Sequence, residues 1–182
     1  MTDPVLIAGI VKRDRKSFDL FYERYAQIIF NLCVRILKDE AEAQDVLQEI
    51  FLQIWREAER FDASRASVKT WLFTIARSRS LDRYRSRKTV TKRLEDQTED
   101  KLQQIPDKVD LQGASVTQQY VLSALNRLSQ EQRLVLELSY YDGLTQEEIA
   151  QKLQEPLGTV KSRIRAALIK LRSLFSGEES DA

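Results

Sequence analysis

Leu144 to Phe175 read LTQEEIAQKLQEPLGTVKSRIRAALIKLRSLF, and the spacing predicts two helices meeting at a short turn. Thr145 can cap the first helix while Glu148, three residues on, reaches back to the cap's own N–H, the reciprocal pattern of a capping box. Pro156 suits the first turn of the next helix. There Val160, Ile164, Ala167, Leu168, Leu171, Leu174 and Phe175 recur at spacings of three and four, so one face is apolar and packs inward. The opposite face carries Gly158, Ser162, Arg165 and Ala166, flanked by Lys161, Arg163 and Arg172. Small residues permit close approach and the cations beside them attract phosphate, the requirements of a helix entering a major groove.

Working outward, 182 residues with 42% apolar content suffice for one medium domain or two small ones. Five glycines, three prolines and near-continuous three-and-four periodicity predict an all-α fold. Asp3-Pro4 reads as a cap and first-turn proline, opening a short helix through about Lys12. A longer helix follows from about Lys16, with Phe18, Phe21, Tyr22, Tyr25, Ile28, Ile29, Leu32 and Ile36 on its stripe. Asp39, Glu40 and Glu42 favour a third helix start, whose apolar set is Ala43, Val46, Leu47, Ile50, Phe51, Ile54, Trp55 and Ala58. After the polar loop FDASRASV (Phe61 to Val68), Ser67 can cap a fourth helix, with Val68, Trp71, Leu72, Ile75 and Ala76 facing inward.

Charge is segregated along the chain, although the totals, 29 Lys plus Arg against 28 Asp plus Glu, nearly cancel. Between Arg77 and Arg93 eight cations accompany one anion, Asp82. Arg79, Arg83 and Arg87, at i, i+4 and i+8, form one line on the helix surface. Between Leu94 and Asp110 six anions accompany two cations. Residues 91–114, without sustained periodicity, read as a flexible acidic linker between two small helical domains. Beyond it Tyr120, Val121, Ala124, Leu125 and Leu128 form a helix, Ser129 with Gln132 gives a second capping box, and Asp142-Gly143 stops the helix from Gln130 to Tyr141. The second domain thus ends in a helix-turn-helix, followed by an acidic tail, 178–182.

The chain contains no histidine and one cysteine, Cys33. That excludes an internal disulfide, a Cys/His zinc site and Ser-His or Cys-His nucleophilic chemistry. Neither a metal nor a cofactor is expected. The absence of a signal-peptide order or a long apolar run leads us to expect a cytoplasmic protein without membrane insertion.

Three segments in this order resemble the extracytoplasmic-function (ECF) sigma factors of bacterial RNA polymerase, within the sigma-70 family, over nearly the whole chain. DVLQEIFLQIW (Asp45 to Trp55) is similar to their segment for docking on the coiled coil of the polymerase's largest subunit. RFDASRASVKTWLFTIARSRSLDRYR (Arg60 to Arg85) is similar to the part that captures and opens the minus-10 element, and YYDGLTQEEIAQKLQEPLGTVKSRIR (Tyr140 to Arg165) to the part that reads minus-35 duplex. The resemblance implies region 2 over 1–90 and region 4 over 115–177, and a non-enzymatic sigma subunit acting with core RNA polymerase on promoter DNA. It also implies an anti-sigma protein as a further partner.

On this reading Asp45, Gln48, Glu49, Leu52 and Gln53 dock on the polymerase, although such a face can equally be a solvated helix side. Minus-10 DNA falls to Phe61, Ser64, Ser67, Lys69, Trp71, Arg77, Arg79, Arg83, Tyr84 and Arg87. Cations supply phosphate affinity there, and the loop beside Trp71 supplies a pocket for an unstacked base. Trp71, on the buried stripe with Ile75, reads more readily as a core residue than as a DNA contact, and Tyr84 is open to both readings. Minus-35 duplex falls to Thr145, Gly158, Thr159, Lys161, Ser162, Arg163 and Arg165. The chain departs from many relatives in having Gln154 in place of Gly, Ser78 in place of Asn and Ala166 in place of Arg. If the backbone at 154 needs positive φ, Gln costs on the order of 1 kcal/mol. The acidic linker is expected to run along a basic channel of the enzyme. Two other readings stand beside this one: a dimeric helix-turn-helix regulator that binds operators without polymerase, and a helical adaptor that does not contact DNA.

Overall fold

The computed structural model describes residues 1–94 and 123–176, with side chains described over 1–87 and 123–174. Every described element is helical, as expected. The chain forms two compact units, 1–97 and 98–182. The linker expected over 91–114 starts later than the sequence suggested, because residues 91–94 continue the helix Val68–Leu94; the rest of it and the acidic tail lie outside the described residues.

The first unit contains α1 (Asp3–Val11), α2 (Arg15–Leu37), α3 (Glu40–Glu57), a short 3₁₀ turn (Ala58–Arg60) and α4 (Val68–Leu94). Helix α2 is central and packs on the other three. Its residues Phe21, Tyr25, Ile29, Leu32, Cys33, Ile36 and Leu37 are buried, as are Val46, Leu47, Ile50 and Ile54 of α3 and Leu72 and Ala76 of α4. Burying each large aliphatic side chain contributes about 1.5–3 kcal/mol, which offsets the entropy of ordering it. Tyr22 and Ile28, expected on the α2 stripe, lie at its edge and are each 37% exposed.

The helix ends explain where each element starts and stops. Asp14, which the sequence reading passed over, caps α2 by accepting from the N–H groups of Lys16 and Ser17. Asp39 caps α3 by accepting from the Glu42 N–H at 3.1 Å, and Ser67 caps α4 by accepting from the Thr70 N–H at 3.1 Å. Asp3 differs from expectation: Thr2 holds the N-cap position of α1 without a side-chain bond. The Asp3 carboxylate instead accepts from Arg24 and from the Tyr25 hydroxyl, because two strong donors on α2 outcompete a cap. Gly9 is required at the α1–α2 crossing, since a Cβ there would come within 2.6 Å of Ser17 Cβ.

The second unit has a helical turn at 123–126, then α5 (Gln130–Tyr140), α6 (Gln146–Leu153) and α7 (Leu157–Ser176). Both expected capping boxes are present, Ser129 with Gln132 and Thr145 with Glu148. Gly143 takes φ 65° in the turn between α5 and α6, where glycine carries no Cβ penalty. Val135, Leu138, Ile149, Ala150, Val160 and Ile164 form the core, with Ala167 also buried. Leu168, expected on the inward face, is 54% exposed, and Ile169 beside it is 60% exposed.

Candidate nucleic-acid interface

Helix α6 closes at Gln154, whose φ of 54° and ψ of 38° are left-handed. Pro156 then precedes α7 and its carbonyl accepts from the Val160 N–H at 3.2 Å. With Val160, Ile164 and Ala167 buried, α7 turns Gly158, Lys161, Ser162, Arg165 and Ala166 outward, all exposed. A Cβ added at Gly158 would meet nothing within 4 Å, so the fold does not demand glycine there. Of the expected duplex-facing residues, Arg163 is half-buried and ion-paired to Glu155 at 2.6 Å. The Ser162 hydroxyl donates to the Thr159 carbonyl at 2.9 Å. Thr145 is tied into its capping box, donating its N–H to Glu148 at 2.7 Å.

In the first unit the loop before α4 is shaped by Asp62, whose carboxylate accepts from the N–H of Ser64 at 2.9 Å and its hydroxyl at 2.7 Å. Those bonds hold the Asp62 carboxyl below its usual range. Phe61 packs on Trp71 with ring centroids 5.4 Å apart; both are half-buried, and Ser64, Ser67 and Lys69 are exposed around them. The loop thus combines a half-open aromatic pair with short hydroxyl side chains, suited to stacking and hydrogen-bonding an unpaired base. Tyr84 and Arg77 are half-buried on α4.

The arginine line on α4 has a partner that the sequence reading missed. Arg79 donates from Nε to Gln53 at 2.9 Å. Arg83 bonds Glu42 at 2.8 Å and Glu49 at 2.5 Å, and Arg87 reaches Asp39 at 3.5 Å. Residues 79, 83 and 87 therefore climb α4 while 53, 49, 42 and 39 descend α3, an antiparallel polar ladder. The sequence carries only half of this signal: carboxylates at 39, 42 and 49 share one side of their helix by three-and-four spacing and are opposite in sign to the arginine line, but nothing in the spacing says that the two helices face each other. Asp45, Gln48, Glu49 and Leu52 are exposed on α3, and Gln53 is half-buried.

Comparison with known proteins gives the same two-part division. Residues 21–90 match Sigma-70 region 2 and residues 124–173 match Sigma-70, region 4. The ECF RNA polymerase sigma factor SigK of Mycobacterium ulcerans (strain Agy99) is 34% identical over 169 residues, 92% of this chain and 90% of that protein. The chain belongs to the ECF sigma factors. SigK of Mycolicibacterium vanbaalenii is 32% identical to this sigma factor over 171 residues, 92% of this chain and 86% of its own. Among solved structures, Rhodobacter sphaeroides SigE in complex with the anti-sigma ChrR is 30% identical, covering 93% of this chain and 95% of its own, with a TM-score of 0.47.

Among the described residues no group of acidic, Cys or His side chains could hold a metal ion, and no helix is long and apolar enough to cross a membrane. The one thiol of this sigma factor, Cys33, is buried and accepts from the Ser80 hydroxyl at 3.4 Å. Burial pushes its pKa up, which makes it a poor nucleophile.

Proposed function

We propose that this ECF sigma factor binds core RNA polymerase and directs promoter-specific initiation, reading minus-35 duplex through α7 and opening minus-10 DNA with the loop before α4. The observation that carries the reading is the two-sided build of α7. Its apolar face is fixed in the core by Val160, Ile164 and Ala167, while Gly158, Lys161, Ser162 and Arg165 stand exposed. A rigid helix of this kind places side chains on base edges at little entropic cost.

In this reading Lys161, Ser162 and Arg165 contact base edges or the groove floor, and Thr145, Thr159, Arg163 and the open backbone at Gly158 contact phosphate. Phe61, Ser64, Ser67, Lys69 and Trp71, with Arg77 and Tyr84 behind them, capture the unstacked strand. Asp45, Gln48, Glu49, Leu52 and Gln53 form the polymerase-docking face: carboxylates set orientation, and Leu52, 51% exposed, adds apolar area. Region 2 takes 1–90 and region 4 takes 115–177, on either side of the linker. The partners are core polymerase, promoter DNA and an anti-sigma protein. Chemistry remains with the polymerase, and the chain acts in the cytoplasm.

The competing reading, a dimeric operator-binding regulator, predicts tight duplex binding by the chain alone. Promoter affinity measured with and without core enzyme separates the two. Strong binding only with core supports the sigma reading, and equal binding without core would end it.

A further inference from the structure

The ladder between α3 and α4 changes what the arginine line can do. One guanidinium, Arg83, bonds two carboxylates spaced seven residues apart on α3: Glu42 through Nη1 and Glu49 through Nη2. A planar fork can bridge two acceptors in this way, whereas an ammonium acts as a single point charge. Arg79 adds a bond to Gln53, and Gln53 in turn donates to Glu57 at 3.1 Å. A phosphate approaching Arg83 would meet two carboxylates already in place, and like charges repel it. Glu49, although held by Arg83, keeps its side chain 44% exposed. A carboxylate has a second acceptor oxygen for a basic partner.

We propose that Arg83, supported by Arg79 and Arg87, is a positioning residue for polymerase docking: it fixes Glu49 and Gln53 on α3 in the orientation they present to the polymerase and makes no promoter contact. The inference rests on the reading of α3 as the docking face. Holding these side chains in one rotamer lowers the entropy lost when the partner arrives. It also makes the Arg79, Arg83 and Arg87 line of α4 a brace for α3, leaving DNA capture to the loop end of α4 and to the separate Arg77 and Tyr84 line, seven residues apart on the helix. Partly exposed ion pairs contribute little to folding, so their loss should be read in binding rather than in the melting temperature.

The test uses the full chain as wild type, Arg83→Gln, Arg83→Lys, Glu49→Gln and the Arg83→Gln/Glu49→Gln double variant. Three quantities are measured: affinity for core polymerase, the salt dependence of promoter binding at saturating core, and the melting temperature. Arg83→Gln and Arg83→Lys should each weaken core binding by about three- to tenfold. The double variant should bind core no worse than Glu49→Gln alone, and the salt slope should stay at the wild-type value. A fall of about one in that slope with unchanged core affinity would make Arg83 a phosphate contact and overturn the proposal. Full core affinity in Arg83→Lys would also overturn it, as would a lower melting temperature alone. If the wild type itself does not bind core, the docking reading fails, an outcome distinct from variants that bind as tightly as a binding wild type.

Discussion

Glu155 donates its backbone N–H to the carbonyl of Ala150 at 3.0 Å. With Gln154 bonding Gln151 at 3.2 Å, α6 ends in a Schellman motif whose left-handed position is Gln154. The Glu155 side chain then pairs with Arg163, so the same turn is tied to α7 through backbone and charge together. The angle at which α7 leaves the turn is held by this closure.

A side chain with a Cβ is strained at Gln154, and glycine is not. Gln154→Gly should stabilise the second unit by about 1 kcal/mol, read as a raised midpoint in denaturant. An unchanged or lowered midpoint would contradict the strain.

Gly158 gives the opposite case, because a Cβ there meets open space within the chain. Gly158→Ala should leave folding unharmed, or improve it by up to about 1 kcal/mol through helix propensity, yet weaken minus-35 binding in the holoenzyme. Unimpaired binding would remove Gly158 from the DNA contact surface.

What could be read in the sequence follows the range of the interactions. Capping boxes at Thr145 and Ser129 are local, so the sequence places them correctly, and apolar periodicity places Val160, Ile164 and the α3 set in the core, except Trp55, which is half-buried. The left-handed turn at Gln154 was legible only as a condition, since φ is a property of the backbone. Long-range pairing was not legible. Arg83 lies 41 residues from Glu42, and nothing local to α4 tells a phosphate-seeking arginine from one already paired. Asp3 shows the same limit, because its donors sit 21 and 22 residues away on α2.

The Asp3 contact has a pH consequence. Burial pushes its carboxyl up, but the hydrogen bonds from Tyr25 and Arg24 outweigh it, so the folded-state pKa lies below the ordinary 3.8. A lowered folded pKa gives stability that is present above the unfolded value and lost as pH falls through the folded one. The stability gap between wild type and Asp3→Asn should therefore be widest above about pH 4 and close on further acidification. A gap that widens on acidification would contradict the assignment.

Cys33 is buried between α2 and α4, with its pKa raised by that burial. Alkylation of the native chain should be slow and limited by unfolding, becoming fast in denaturant. Rapid modification of the native chain would show that the α2–α4 packing opens.

On the proposed reading the chain confers promoter choice on core RNA polymerase. Run-off transcription with purified core enzyme on a cognate promoter, with and without the full chain, tests it most directly. A discrete transcript is expected only when the chain is present, and it is lost when Lys161 and Arg165 are both changed to Ala. A chain that neither binds core nor starts a transcript, or a Lys161→Ala/Arg165→Ala variant that initiates as well as the wild type, would contradict it.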